Sequence, residues 1–291
     1  VKPAPFEYHT PRTTAEAVAL LAELGDEAKV LAGGQSLVPM LALRLTAFDH
    51  LVDIGNIDEL KGIERRDDVL WIGAGVTYSQ IGASDAVASL VPLLARATPL
   101  VGHFQIRNRG TLGGSIAHAD PAAEYPAVAL ALDANMEVLL AEGQRTIAAG
   151  DFFEGLWSTS MGTAELLVGA SFPIWSGRCG FAVEEFARRH GDFAIAGAAV
   201  GVELDEQDRV LRACIGLIGL GSKPERAAVA EEQLRGQPAT QIDPKEVGAL
   251  AVSELNSVLS DLHGTAAYRT RVGAAMVERA WTAAIQEVLD G

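Results

Sequence analysis

Cysteine is almost missing from this chain: 291 residues carry two thiols, Cys179 and Cys214. That excludes a disulfide framework, fits a reducing cytoplasm, and cannot supply the four thiolates that a 2Fe-2S cluster usually takes. Basic residues are scarce too, 23 Lys and Arg against 38 Asp and Glu. The net charge of −15 argues against a nucleic-acid binder, because phosphate backbones are held largely by Lys and Arg. No apolar run approaches the roughly 20 residues that span a bilayer, and no charged-then-apolar leader opens the sequence. The expectation is a soluble, unexported, cytoplasmic protein. The histidines (His9, His50, His103, His118, His190 and His263) show neither HExxH nor paired spacing, so no metal site is expected. "GLIGLGSK" at 216–223 ends Ser-Lys where a Walker loop needs Lys-Ser/Thr, and "GAGVTY" at 73–78 has Tyr78 where a dinucleotide fingerprint needs its third glycine. No GxSxG nucleophile elbow occurs.

What the chain has is apolar material, 49% of its residues, enough for two or three packed modules. "TTAEAVALLAELG" predicts a helix over about 13–24, with Thr13 and Glu16 spaced as a capping box and Gly25 as its stop. "AKVLAGG" then reads as a strand ending in glycines. "SLVPMLALRL" restarts helical spacing with Ser36 as N-cap, and "HLVDI" at 50–54 closes a small parallel unit. From about residue 59 the texture turns to short β-rich runs, broken by a helical "SQIGASDAVASLVPLLARATPLVG" and a turn "RNRGTLGGS". A third module starts near 177. In it "DFAIAGAAVGVEL" and "RVLRACIGLIGLG" flank "DEQD" as a hairpin, and three helices follow, from "SKPERAAVAEEQLRG", "DPKEVGALAVSEL" and "TAAYRTRVGAAMVERAWTAAIQEVL". The expected fold is α+β, divided 1–58, 59–176 and 177–291.

Two Gly-Gly turns stand out, "AGGQS" at 32–36 and "TLGGS" at 111–115, each ending in serine. Glycines without Cβ let a phosphate approach the main chain, and successive N–H groups form an anion nest. An acidic chain with no lysine between residues 30 and 60 can thus hold a pyrophosphate on neutral donors, the Ser36 and Ser115 hydroxyls included. The bland alternative is that each Gly-Gly is only a tight turn. "HADPAAEYP" at 118–126 adds Asp120 and Glu124, acceptors suited to ribose hydroxyls or a ring N–H, or simply an acidic helix start. Phe193, at the entry to a strand, could lie against a flat ring or pack in the core.

Taken together, "AGGQSLVPMLALRL", "QIRNRGTLGGSIAHADPAAEYPAVALAL" and "DLHGTAAYRTRV" resemble the FAD-binding medium subunit of the molybdenum hydroxylases, the carbon monoxide dehydrogenase and xanthine dehydrogenase group. The likeness spans essentially the whole chain. It implies a two-subdomain FAD-binding module of the PCMH/vanillyl-alcohol-oxidase type, followed by an antiparallel sheet with a three-helix bundle. It assigns to FAD the residues Val30, Leu31, Ala32, Gly33, Gly34, Gln35, Ser36 and Leu37, then Gly110, Thr111, Leu112, Gly113, Gly114 and Ser115. Asp120 and Glu124 join that set, with Val101 near the adenine, Leu167 beside the cofactor and Phe193 by the isoalloxazine. It also implies partners: a large molybdopterin subunit and a small subunit with 2Fe-2S clusters, assembled as a dimer of heterotrimers. No catalytic acid or base is expected here, because the cofactor carries the electron transfer. The carbon monoxide enzymes typically have His at Gln35 and Tyr at Phe193, so the expected substrate of the complex is an N-heterocycle, an aldehyde or a similar organic compound. The alternatives are a carbon monoxide dehydrogenase medium subunit, a self-contained FAD oxidase and a non-enzymatic scaffold.

Overall fold

Thr13 opens the first helix as its spacing predicts: the side chain accepts from Glu16 N at 3.1 Å, and Gly25 ends the helix at φ +56°. The reciprocal half of the capping box is displaced by one residue, since Glu16 accepts from Arg12 N instead of Thr13 N. These details come from a computed structural model, which describes residues 2–291. Helix α1 (Thr14–Leu24) lays Ala17, Val18 and Leu21 on a three-stranded parallel sheet of β1 (Glu7–His9), β2 (Ala28–Leu31) and β3 (His50–Asp53), ordered β1-β3-β2. The crossover from β2 to β3 carries the first glycine segment and α2 (Leu37–Ala42). Ser36 does not cap α2: it is already in a right-handed helical conformation and its hydroxyl makes no cap bond.

The second sheet is antiparallel, built from β4 (Ile63–Arg66), β5 (Val69–Gly73), β6 (Asn135–Leu140), β7 (Gly143–Ala148) and β10 (Leu166–Pro173), ordered β4-β5-β10-β6-β7. A small ribbon of β8 (Phe153–Gly155) and β9 (Ser158–Thr159) precedes β10. The expected long helix before the second glycine segment is three short ones, α3 (Tyr78–Gly82), α4 (Asp85–Leu90) and α5 (Pro92–Ala97). Ser84 restarts the chain by capping Val87 N at 3.3 Å, and Pro92, lacking an N–H, occupies the first position of α5. After α6 (Phe104–Arg107), "TLGGS" proves to be the first turn of a helix and not a free turn. Thr111 caps α7 (Leu112–His118), accepting from Gly114 N at 3.0 Å. Helix α8 (Glu124–Ala131) follows, and α9 (Ala149–Phe152) leads into the ribbon.

The third sheet is antiparallel and ordered β11 (Arg178–Phe186), β12 (Ala196–Leu204), β13 (Val210–Ile218), β14 (Glu225–Arg226). The β12–β13 turn is organised by Asp205, whose Oδ1 accepts from the N–H groups of Gln207 and Arg209, both at 2.8 Å. α10 (Ala228–Leu234), α11 (Pro244–Ser253) and α12 (Ala266–Asp290) cover one face. α10 starts later than its sequence suggests, because the stretch after Ser222 pairs with β13 as β14 before the helix begins. α5 and α8 cover the opposite face, where Phe181, Ala199 and Cys214 join the core of the second module. Covered on both faces, β12 reads as a run of small apolar residues with little alternation.

Candidate cofactor site

The two glycine segments, nearly 80 residues apart, meet. A Cβ on Gly33 would lie inside van der Waals contact of the Arg109 carbonyl oxygen and 2.7 Å from Gly110 Cα. A Cβ on Gly114 would come 3.5 Å from Ala32 Cβ. Gly34 takes φ +72°, which turns the chain from β2 into α2. Among the described residues, no protein oxygen accepts from the N–H groups of Gly33, Gly34, Gln35 or Ser36. The second segment differs: Leu112 N donates to Val76 O and Gly113 N to Ala74 O, both at 2.9 Å, Gly114 N donates to the Thr111 hydroxyl, and Ser115 N to Thr111 O. The free donors of an anion nest therefore belong to the first segment. The second is a helix start held to Ala74 and Val76, with Gly113 packed on Ala74 and Gly114 facing Ala32.

Residues 73–78 were an unsuccessful dinucleotide fingerprint in the sequence; in the fold they buttress the site. Tyr78 N donates to Gly110 O at 3.0 Å, and the Tyr78 ring occupies the space a Gly110 Cβ would need. The ring packs edge-on against Tyr125 at 4.9 Å, and Tyr125 Oη shares a 2.8 Å hydrogen bond with Thr98 Oγ1. Burial pushes the Tyr78 phenol up to about 12, only partly opposed by the neighbouring Ser115 side chain. The sequence signal for this buttress was Thr77-x-x-Gln80, a full capping box in the structure.

Glu124 is 6% exposed, at the first position of α8. Burial pushes its carboxyl up to about 8, with the charge of Glu185 a smaller contribution; burial also raises Glu185 to about 7. Glu185 Oε2 is buried with no hydrogen-bond partner, a second acidic group that the motifs did not reveal. Asp120 is engaged by the protein itself: Oδ1 accepts from Ala122 N at 2.9 Å and Oδ2 from the Trp157 indole N–H at 3.2 Å. Trp157 holds a left-handed backbone, φ +55°, and stacks on His118 with the rings 6.0 Å apart. Val101 is buried, and its carbonyl, with those of Pro99 and Gly102, accepts from the Arg107 guanidinium. The turn before Phe193 leans on the loop after Val101, since a Cβ on Gly191 would meet the His103 ring at 2.6 Å. Phe193 is 63% exposed. Leu167 is buried in β10 beside a register shift, and the next residue, Val168, accepts from Ala74 N behind the second segment.

The raised carboxyl of Glu124 makes a prediction. Its folded value lies above the ordinary one, so the folded chain keeps a proton that the unfolded chain releases, and stability falls as pH climbs from about 4.5 to about 8. Glu124→Gln is expected to flatten that fall in thermal melts recorded across pH 5 to 8. A pH profile parallel to that of the native chain would remove Glu124 from the cause.

Residues 4–175 match the family described as FAD binding domain in molybdopterin dehydrogenase, and residues 181–284 the CO dehydrogenase flavoprotein C-terminal domain. The chain is a flavin subunit of the molybdenum hydroxylase family. As such it is 40% identical to the 6-hydroxypseudooxynicotine dehydrogenase complex subunit alpha of Paenarthrobacter nicotinovorans, over 96% of this chain and 94% of that one. It is 38% identical to the carbon monoxide dehydrogenase medium chain of Hydrogenophaga pseudoflava, covering 97% and 98%. The solved carbon monoxide dehydrogenase from the same organism, in a form lacking the Mo-pyranopterin moiety of its molybdenum cofactor, superposes on this flavin subunit with a TM-score of 0.95 over 99% of both chains at 38% identity. Quinoline 2-oxidoreductase from Pseudomonas putida 86 superposes at 0.92, covering 99% and 100%, with 34% identity. The chain is thus an oxidoreductase subunit with an FAD-binding domain. Among the described residues, no helix is long and apolar enough to cross a membrane.

Proposed function

We propose that this chain binds FAD across its two glycine segments and acts as the electron-transfer subunit of a cytoplasmic molybdenum hydroxylase. Electrons would arrive from 2Fe-2S clusters on a small partner subunit and leave to an external acceptor, while a large molybdopterin subunit oxidises the substrate. The observation that carries this reading is the loop at Gly33–Ser36: four N–H groups without protein partners, close to a helix start where Gly114 faces Ala32 and Gly113 packs on Ala74. That donor set suits a pyrophosphate, and it offsets the chain's overall negative charge with neutral dipoles. Ser36 contributes a hydroxyl free of any capping duty.

The remaining assignments follow the resemblance. Val101 and its loop are assigned to the adenine, Glu124 to a hydrogen bond with the cofactor, Leu167 to its flank and the exposed Phe193 ring to the isoalloxazine. At neutral pH the buried Glu124 carboxyl keeps its proton and so donates instead of repelling an anionic cofactor. When bound, FAD supplies a store of two electrons that can be exchanged with one-electron partners. The protein's own residues bind it, orient it and exclude water around it. The division 1–58, 59–176 and 177–291 fits this reading, the first two parts each contributing one glycine segment.

The substrate we propose for the complex is an N-heterocycle or a related organic compound. The relatives include nicotine, caffeine and quinoline enzymes as well as carbon monoxide dehydrogenases; the resemblance, which puts His and Tyr in the carbon monoxide enzymes at the places of Gln35 and Phe193, favours the former group. The chain, incubated with FAD, desalted and scanned, is expected to retain about one flavin per chain with no iron absorbance, and to oxidise no organic substrate alone. Retention of no flavin by the chain and by its complex alike would overturn the proposal.

A further inference from the structure

We propose that Glu7, His9 and His50 form a binding site for a divalent transition-metal ion, Zn2+ fitting best, distinct from the flavin cleft. β1 and β3 run parallel in a register that sets Glu7 opposite His50 and His9 opposite Val52. Glu7 and His9 are two residues apart, and so share one face of their strand. His50 stands two residues before Val52, a fully buried member of the core under α1. Strand pairing thus gathers on one side of the sheet three ligands that come from segments 41 residues apart. That separation is why the histidine spacing gave no sign of a metal and the expectation had been none.

The three donor atoms lie close enough to share one ion, and the two imidazoles are hydrogen-bonded to each other, a contact the ion would replace. His9 Nε2 lies 3.1 Å from His50 Nδ1, Glu7 Oε2 lies 3.5 Å from His50 Nδ1, and Glu7 Oε2 lies 4.0 Å from His9 Nε2. A triangle with these sides has its equidistant point about 2.1 Å from each corner, which is the length of Zn–N and Zn–O bonds. Two imidazoles and a carboxylate are a borderline donor set, suited to Zn2+, Ni2+ or Cu2+ and poorly suited to Mg2+ or Ca2+. Both imidazoles are largely shielded, with 24% and 16% of their side chains exposed, so little side-chain freedom is lost on binding, whereas Glu7 is 74% exposed. A hollow of about 390 Å3, lined in part by His9, Glu16 and Glu23, adjoins the cluster and gives a fourth ligand, such as water, a way in. The ion would tie β1, an edge strand of three residues, to β3 at the centre of its sheet.

The test is equilibrium dialysis of the full, tag-free, FAD-loaded chain against Zn2+, with bound metal counted by elemental analysis. One Zn2+ per chain is expected. His9→Gln and His50→Gln are each expected to weaken binding by more than the roughly 10–100-fold that loss of an outer-shell partner costs. Glu7→Gln, at an exposed position that leaves folding intact, is expected to weaken it in the same direction, and flavin content should stay unchanged in all three. Absence of bound Zn2+ in the native chain would overturn the site. So would an affinity that none of the three substitutions alters, because the ion would then sit elsewhere.

Discussion

Gly33→Ala is expected to lower the affinity for FAD by about 100-fold or more, the loss of two or three hydrogen bonds to a charged group. The new methyl group would overlap the Arg109 carbonyl oxygen and Gly110 Cα, both main-chain atoms that cannot rotate away. The loops must therefore part, by about 1 Å to restore ordinary contact. Parting them moves the four free N–H groups away from the helix start opposite, and the nest loses the spacing on which its grip depends. Gly34→Ala acts differently: at φ +72° it costs backbone strain of about 1 kcal/mol, and its Cβ would press on the Val38 and Leu31 side chains, which can shift, so a loss of roughly five- to tenfold is expected. Gly150→Ala, with no heavy atom within 4 Å of the added carbon, is the control and should retain flavin fully. Flavin fluorescence titration of the three purified variants reads the order directly. Equal retention in all three would remove the pyrophosphate from this loop.

Gly180→Ala carries the second large effect, on stability. Here the added carbon would overlap the Ala284 carbonyl oxygen and approach Val288 N to 3.2 Å, so α12 must lift off β11. That contact is reinforced by Glu287, which accepts from Phe181 N at 2.8 Å and pairs with Arg96 of α5, and by the fully buried Trp281. Overpacking against main chain costs about 3 kcal/mol or more. In a chain of this size that lowers Tm by about 6–12 °C, measurable by far-ultraviolet circular dichroism. A change under about 2 °C would mean that α12 slides without loss, and that the helix layer is looser than the packing shows.

Elements whose signals are local were legible in the sequence. Thr13 with Gly25, Asp243 before Pro244, and Thr265 before the long amphipathic run mark α1, α11 and the start of α12, because caps and periodicity need only neighbouring residues. The parallel β2–α2–β3 crossover followed from its glycines. The broken helix before residue 100 was not seen, although Ser84 and Pro92 announce it, because apolar spacing continues across both breaks. The second glycine segment was read as a turn because Gly-Gly opposes helix propensity; Thr111 and the bonds to Ala74 and Val76 outweigh that preference. Within the cleft, the glycines and Glu124 could be found from motifs. The capping box at Thr77 marks the helix that carries Tyr78 but not its role, and Glu185 and the pairing of His118 with Trp157 left no motif, since their meaning comes from packing between distant segments.

Helix α8 ties two of the modules into one packed body. Seven of its eight residues are buried, with the second module on one side and the third sheet on the other, so it has no polar face to present to water. An isolated segment of eight residues is too short to hold a helix by itself. Its helical form depends on packing from both sheets, so the two large modules are joined by a shared layer and not by a linker. Glu124 stands at the head of that helix. Loosening either sheet would therefore reach the Glu124 end of the candidate site through α8, without touching a residue of the glycine segments.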